Sequence, residues 1–130
     1  MKANLKKEKY IFIIGGSLSG IGKGIFTAAL TSVLQVMNFS LIVKKVDPYL
    51  STDTGFMNPY EHGEVFVTSD GEETDLDLGH YQRFSCLKMD KWSSITSGKI
   101  YSSLISKERE GLFLGQTVRV IPHLVNEITS

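Results

Sequence analysis

Tyr10-Ile11-Phe12-Ile13-Ile14-Gly15-Gly16-Ser17-Leu18-Ser19-Gly20-Ile21-Gly22-Lys23-Gly24-Ile25 carries the main structural signal of this 130-residue chain. Its first five residues are β-branched or aromatic with no polar alternation, the pattern of a strand buried on both faces of a parallel sheet. Gly15 to Gly24 holds five glycines in ten residues, so the chain must turn tightly there. Beyond it, Ile25, Ala28, Ala29, Val33, Val36 and Met37 recur at helical spacing and predict a helix over 25–37. Leu41-Ile42-Val43, within Ser40 to Val46, predicts a second strand. Strand, glycine loop, helix and strand in that order are the opening of a doubly wound α/β fold.

From Asp47 to Gly63 the breakers Pro48, Gly55, Pro59 and Gly63 imply irregular chain. Glu64 to Thr68 reads as a strand and Ser69-Asp70-Gly71-Glu72 as a turn, because Asp-Gly supplies the positive φ of a tight reversal. Thr74 to Leu78 either pairs back or continues as loop. A short helix is expected over 79–84 and a longer one over Ser97 to Glu110, where Ile100, Leu104 and Ile105 share a side. Thr117 to Ile121 reads as a strand, with Pro122 placed to open a last helix. Val125 to Ser130 reads as an unfinished helix with no strand after it. The expected architecture is therefore a P-loop NTPase-like, doubly wound, mostly parallel sheet truncated on its C-terminal side; a naturally short protein is the alternative.

Fourteen basic and fourteen acidic side chains cancel. A neutral chain offers no electrostatic reason to take nucleic acid or an anionic membrane as partner. The apolar run after the basic Met1 to Lys9 segment is too short for a signal peptide or a membrane span. Cys86 is the single cysteine, which precludes an intramolecular disulfide and fits a reducing compartment. The cytosol is the default address.

Phosphates need inward-pointing backbone N–H groups and a cation, which a glycine loop opening onto a helix and Lys23 would supply. The general P-loop pattern wants Gly six residues before the lysine and Ser or Thr after it. Ser17 and Gly24 occupy those positions, so the loop is atypical and lacks the usual metal-reaching hydroxyl. Ser19 or Thr27 could offer an oxygen, with carboxylates holding most of the metal. Asp70, Glu72, Glu73, Asp75 and Asp77 crowd into eight residues; a solvated acidic turn is the ordinary meaning of such a cluster. If Thr74 to Leu78 is extended, Asp75 and Asp77 point to one face, and one carboxylate can suffice for magnesium. Lys44 and Lys45 close the second strand on the ligand side of an open sheet. His62, His80 and His123 show no metal-ligand spacing.

Seven blocks then align in order: the loop Gly15 to Ile25, Lys45-Val46-Asp47-Pro48-Tyr49, Glu61 to Thr68, Asp70 to Tyr81, Thr96 to Tyr101, Lys107-Glu108-Arg109 and Val120-Ile121-Pro122-His123. Together they resemble the N-terminal region of the CTP synthase family from about Tyr10 onward. The resemblance implies a polar extension over 1–9 and part of a synthetase (amidoligase) domain over 10–130, with the glutamine amidotransferase domain lying elsewhere. It implies that ATP phosphorylates the 4-oxygen of UTP and that glutamine-derived ammonia displaces phosphate to give CTP. By matched position, Gly20, Ile21, Gly22, Lys23, Gly24 and Ile25 would embrace ATP, with Lys23 on its phosphates and Ser19 between the ATP and UTP sites. Lys45 would face phosphates, Asp77 would hold Mg2+, and His62 would belong to a lid-like segment associated with ammonia entry. The full-length family implies a homotetramer.

Departures from the family pattern are Ser17-Leu18 after Gly16, Asp53-Thr54-Gly55-Phe56, the Ser85 to Ser94 stretch, and Arg119 where glutamine is general, in a strand associated with the tetramer interface and pyrimidine site. The competing reading is a catalytically inactive fragment that binds nucleotide or a full-length subunit. Another P-loop protein, such as dethiobiotin synthetase, is opposed by the Asp-Leu-Asp-Leu-Gly and Glu-His-Gly-Glu-Val-Phe-Val blocks.

Overall fold

The computed structural model describes residues 9–15 and 20–129. Helix α1 runs over Lys23–Val36 and closes in a Schellman turn: Phe39 N–H donates to Leu34 O at 3.0 Å and Asn38 N–H to Gln35 O at 2.8 Å. Asn38 takes the left-handed conformation this motif requires, at φ 62°. Strand β1 (Lys45–Asp47) follows, then a 3-10 turn (Thr54–Phe56), the short helix α2 (Pro59–His62), and strands β2 (Phe66–Val67) and β3 (Glu73–Thr74). Helix α3 (Leu76–Phe84), strand β4 (Ser94–Thr96) and helix α4 (Ser97–Arg109) come next. A π-type turn (Val120–Leu124) leads into α5 (Val125–Thr129).

The architecture is α/β with a parallel pair and no closed barrel among the described residues. β1 and β4 run parallel, with Lys45 opposite Ser94 and Asp47 opposite Thr96. β2 and β3 form an antiparallel hairpin, with Phe66 opposite Thr74. The hairpin turn is tied by its own side chains. Glu72 N–H donates to Thr68 Oγ1 at 3.0 Å, Thr68 Oγ1 donates to Asp70 Oδ1 at 2.5 Å, and Gly71 supplies φ 88°.

The core lies where α1 packs on α3. Ala28, Leu78, Tyr81 and Met89 are buried together, with Val43, Phe66 and Leu87 packed against them. Gly79 lets α3 approach β2, since a Cβ there would stand 2.9 Å from Phe66 Cδ2. Ile100 and Leu104 are buried on the inner face of α4, as their spacing predicts.

Several expectations need correction. Tyr10 to Ile14 joins no ladder among the described residues, and Phe12 and Ile14 are 79% and 86% exposed. A strand of this kind needs neighbours on both edges, whereas β1 and β4 pair with each other and β2 with β3. The second strand is confined to Lys45–Asp47, so Ser40 to Lys44 lies outside it. Of Thr74 to Leu78 only Thr74 pairs back, opposite Phe66; Asp75 caps α3 by accepting from Asp77 N–H at 2.9 Å, and the helix begins at Leu76. Thr117 to Ile121 is not a strand. That stretch is irregular up to the cis Ile121–Pro122 bond, and no neighbour pairs with it among the described residues.

Candidate active site

Three elements bring charge to one place: the first turn of α1, the end of β1 and the first turn of α3. α1 starts from Gly22 at φ 86°, a left-handed conformation suited to glycine, after Gly20 at φ 79°. Among the described residues no side chain caps this helix, and its first turn holds no acidic residue. The N–H groups of a first helical turn, with the positive end of the helix dipole, are of the kind that can meet an anion. The Lys23 side chain lies back across Gly15, where an added Cβ would stand 2.6 Å from Lys23 Cδ and 2.7 Å from Nζ. The two ends of the glycine loop thus converge on the lysine. Gly20, Ile21 and Gly22 are exposed along this loop, and Ile25 is exposed on the first turn of α1. Gly16, Ser17, Leu18 and Ser19 lie outside the described residues, and with them the Ser19 expectation.

Lys45 is held by carboxylates on three sides: Asp47 at 3.1 Å, Asp77 at 3.4 Å, and Asp75 in direct contact. One ammonium among three carboxylates leaves an excess of negative charge. The side chains differ in access. Those of Asp47 and Asp75 are 15% and 12% exposed, whereas that of Asp77 is 37% exposed. Asp77 is the carboxylate of this group that an incoming cation can reach. It also rests against α1, in the space that a Cβ on Gly24 would need, with Cγ 2.8 Å from that point. Among the described residues no group of three or more His, Cys, Asp or Glu side chains is arranged to hold a metal unaided. Magnesium commonly takes one or two protein carboxylates and fills its remaining positions with phosphate oxygens and water. The accessible Asp77 beside an open helix N-terminus satisfies that requirement.

Tyr81, one turn beyond Asp77, is buried in the core beside Ala28 of α1. Burial pushes its phenol up to about 12, with the negative charges of Asp77 and Asp47 adding to the effect. Sequence reasoning missed Tyr81, and it missed that Asp47 and Asp75 share Lys45. The signal available was helical: Asp77 and Tyr81 are four apart and face one way once α3 is recognised.

The walls come from the segment after β1. Gly98 N–H donates to Tyr49 O at 2.9 Å, and Thr96 Oγ1 donates to Ser51 O at 2.7 Å while accepting from Lys99 N–H as the cap of α4. Lys99 reaches across to pair with Glu72. His62 ends α2 with its ring edge-on to Tyr49, centroids 5.1 Å apart. Arg119 is exposed, its N–H donating to His123 Nδ1 at 3.1 Å. With Tyr101, Leu104 and Leu124 it lines a cavity of about 270 Å³ that does not include the glycine loop.

The parallel pair, the glycine-bearing start of α1 and the carboxylates that face it belong to an α/β protein whose charged side chains gather at the N-termini of α1 and α3. The family model described as CTP synthase N-terminus matches residues 9–130, and the chain belongs to that family. It is 58% identical over 127 residues to a CTP synthase of Fibrobacter succinogenes, covering 98% of this chain and 23% of that protein. It is 53% identical over 127 residues to one of Hydrogenobaculum sp., and 55% identical over 128 residues to one of Mycoplasmopsis pulmonis. In both cases 98% of this chain and 24% of the relative are covered. The chain thus spans about a quarter of the length of these relatives. Among the described residues no helix is long and apolar enough to cross a membrane.

Proposed function

We propose that the chain contributes the ATP-phosphate and magnesium portion of an amidoligase site that aminates UTP to CTP, acting as part of a cytoplasmic, homotetrameric CTP synthase. One observation carries this reading: the Asp77 carboxylate is seated against Gly24, in the first turn of the helix that the glycine loop opens. A group able to meet a cation and a helix end able to meet its phosphates thereby share one site.

In this reading Gly20 to Ile25 wraps the ATP phosphates with backbone N–H groups, and Lys23 swings from Gly15 onto the terminal phosphates. Mg2+, when bound, would supply neutralisation of the phosphate charge. Asp77 is the protein group that would hold it. Asp47 and Asp75 keep Lys45 in place beside Asp77, and a phosphate reaching Lys45 would exchange with one of these carboxylates. Phosphoryl transfer needs chiefly positioning and charge neutralisation, which these groups offer without a covalent intermediate on the protein. Glutamine-derived ammonia would then displace phosphate from C4, past the segment that ends in His62. The doubly wound sheet belongs to the same proposal, with β1 and β4 as two of its strands.

A second reading, a chain that binds nucleotide or another subunit without completing the reaction, is favoured by the exposure of Phe12 and Ile14. An apolar segment so exposed calls for covering protein.

Isothermal titration with ATP and magnesium tests the main reading. The intact chain is expected to bind and the Lys23→Ala variant to lose binding. Absence of binding by the folded intact chain would overturn the claim that these residues form a phosphate site.

A further inference from the structure

We propose that Asp75 is a positioning residue whose one carboxylate anchors both the helix end that carries Asp77 and the ammonium of Lys45. It thereby sets how far the cation-facing carboxylate stands from the phosphate-facing lysine. The inference rests on the nucleotide-binding reading above and concerns a residue that acts there only through Lys45 and Asp77.

The two oxygens of Asp75 have different partners. Asp77 N–H donates to Oδ1 at 2.9 Å, which caps α3. Lys45 Nζ donates to Oδ2, in direct contact. The Asp77 carboxylate, on the residue whose N–H is held, returns to the same ammonium at 3.4 Å. Asp75, Asp77 and Lys45 thus close a ring in which one planar carboxylate joins the start of α3 to β1.

The backbone around Asp75 has little freedom. Thr74, just before it, is fully buried, pairs with Phe66 and donates its hydroxyl to Phe66 O at 2.9 Å. Leu78, in the first turn of α3, is also fully buried, in the core with Ala28 of α1. A carboxylate carried between two such anchors holds its partner in a fixed place. The other two carboxylates are placed differently. Asp47 meets Lys45 from two residues along the same strand, so it ties the ammonium to β1 and not to α3. Asp77 is the more exposed group and, in this reading, turns to the cation. Asp75, 12% exposed, is the contact between Lys45 and α3 that remains when the site fills.

Asp75→Asn separates the two contacts. Its amide oxygen can still cap α3, since Asn and Asp cap about equally well, whereas its amide nitrogen cannot accept from an ammonium. Two measurements on the full chain test the claim. In the first, without nucleotide or metal, the relaxation of the lysine Cε carbons is followed by NMR. Lys45 is expected to be nearly as rigid as its backbone in the parent. In Asp75→Asn it is expected to gain most of the mobility of the exposed Lys44 and Lys88.

In the second, magnesium-dependent ATP affinity is measured by titration. Asp75→Asn is expected to weaken it about threefold to tenfold, the equivalent of one net hydrogen bond. In a Lys45→Met background it should have no further effect, because Asp75 acts through Lys45. If Asp75 were only one more negative charge, removing it would strengthen ATP binding in both backgrounds. That result would overturn the proposal. So would a Lys45 side chain that stays rigid in Asp75→Asn, which would reduce Asp75 to a helix cap. If the parent chain binds no nucleotide, the phosphate-site reading fails, and the mobility of Lys45 alone decides whether Asp75 positions it.

Discussion

The Asp77 carboxylate lies against the α-carbon of Gly24, so the first turns of α3 and α1 touch through a charged group and a missing side chain. The glycine is needed for this contact as well as for the tight loop it follows. A Cβ would overlap the carboxylate oxygens, which are the mobile end of a short side chain and can move away.

Gly24→Ala therefore separates stability from binding. Replacing a helical glycine with alanine favours the helix by about 1 kcal/mol, so the melting temperature should hold or rise. The displaced Asp77 should weaken magnesium-dependent ATP binding by about tenfold or more, the scale of one charge-assisted contact. Calorimetric titration beside thermal unfolding reads both effects. A variant that binds magnesium-ATP normally would show that the contact has no part in the site.

α1 was legible because its apolar spacing and glycine loop are local signals. The parallel pairing of Ser94-Ile95-Thr96 was not, since that tripeptide holds one apolar residue and becomes a strand only beside β1. Asp75-Leu76-Asp77-Leu78 alternates with a period of two, which suggests a strand, yet Asp75 is a helix cap. Its capping side chain, with a second acid in the first turn, was the competing signal. Both carboxylates still reach Lys45, because a cap and a first-turn residue flank the same helix end. Tyr10 to Ile14 shows the opposite case, a strong strand pattern that joins no ladder among the described residues. The roles proposed for Lys23, Lys45 and Asp77 rest on aligned motifs, whereas the burial of Tyr81 needed the packing of two helices.

Gly98 is fixed by a different approach. An added Cβ would stand 2.6 Å from the Leu50 carbonyl carbon and 2.9 Å from Ser51 O, both backbone atoms with little room to yield. Gly98→Ala should destabilise the chain by about 1–3 kcal/mol, as overpacking does, and break the bond from its N–H to Tyr49 O. Urea unfolding gives the magnitude; a loss below about 0.5 kcal/mol, the level of ordinary surface changes, would mean the segment after β1 is not held there.

Glu127 links α5 to α4. Lys107 Nζ lies 2.7 and 2.6 Å from its two oxygens, and Ser103 Oγ donates at 2.5 Å. The Lys107 hydrogen bond first, then Ser103, hold its carboxyl below the usual value of 4.5. A depressed folded-state pKa means that the contribution to stability is fully present above about pH 4.5. It is lost as pH falls through the folded value. Glu127→Gln should be less stable than the parent by about 1 kcal/mol at neutral pH, in keeping with a partly exposed pair. The two stabilities should converge in acid. A difference that stays constant from pH 7 into acid would show that the charge of Glu127 does not hold α5.

Lys45 neutralises a group that would otherwise repel itself. Lys45→Met leaves Asp47, Asp75 and Asp77 facing one another without a cation, so the chain should lose stability at neutral pH, by about 3 kcal/mol if the cluster behaves as a buried one. A divalent cation can take over part of that neutralisation through the accessible Asp77. Magnesium should therefore raise the melting temperature of Lys45→Met more than that of the parent, in the absence of nucleotide. The increment should disappear when Asp77→Asn is added. If magnesium stabilises parent and variant equally, the three carboxylates do not act as one electrostatic unit. Lys45 would then be a residue awaiting phosphate rather than the counter-ion that organises the cluster.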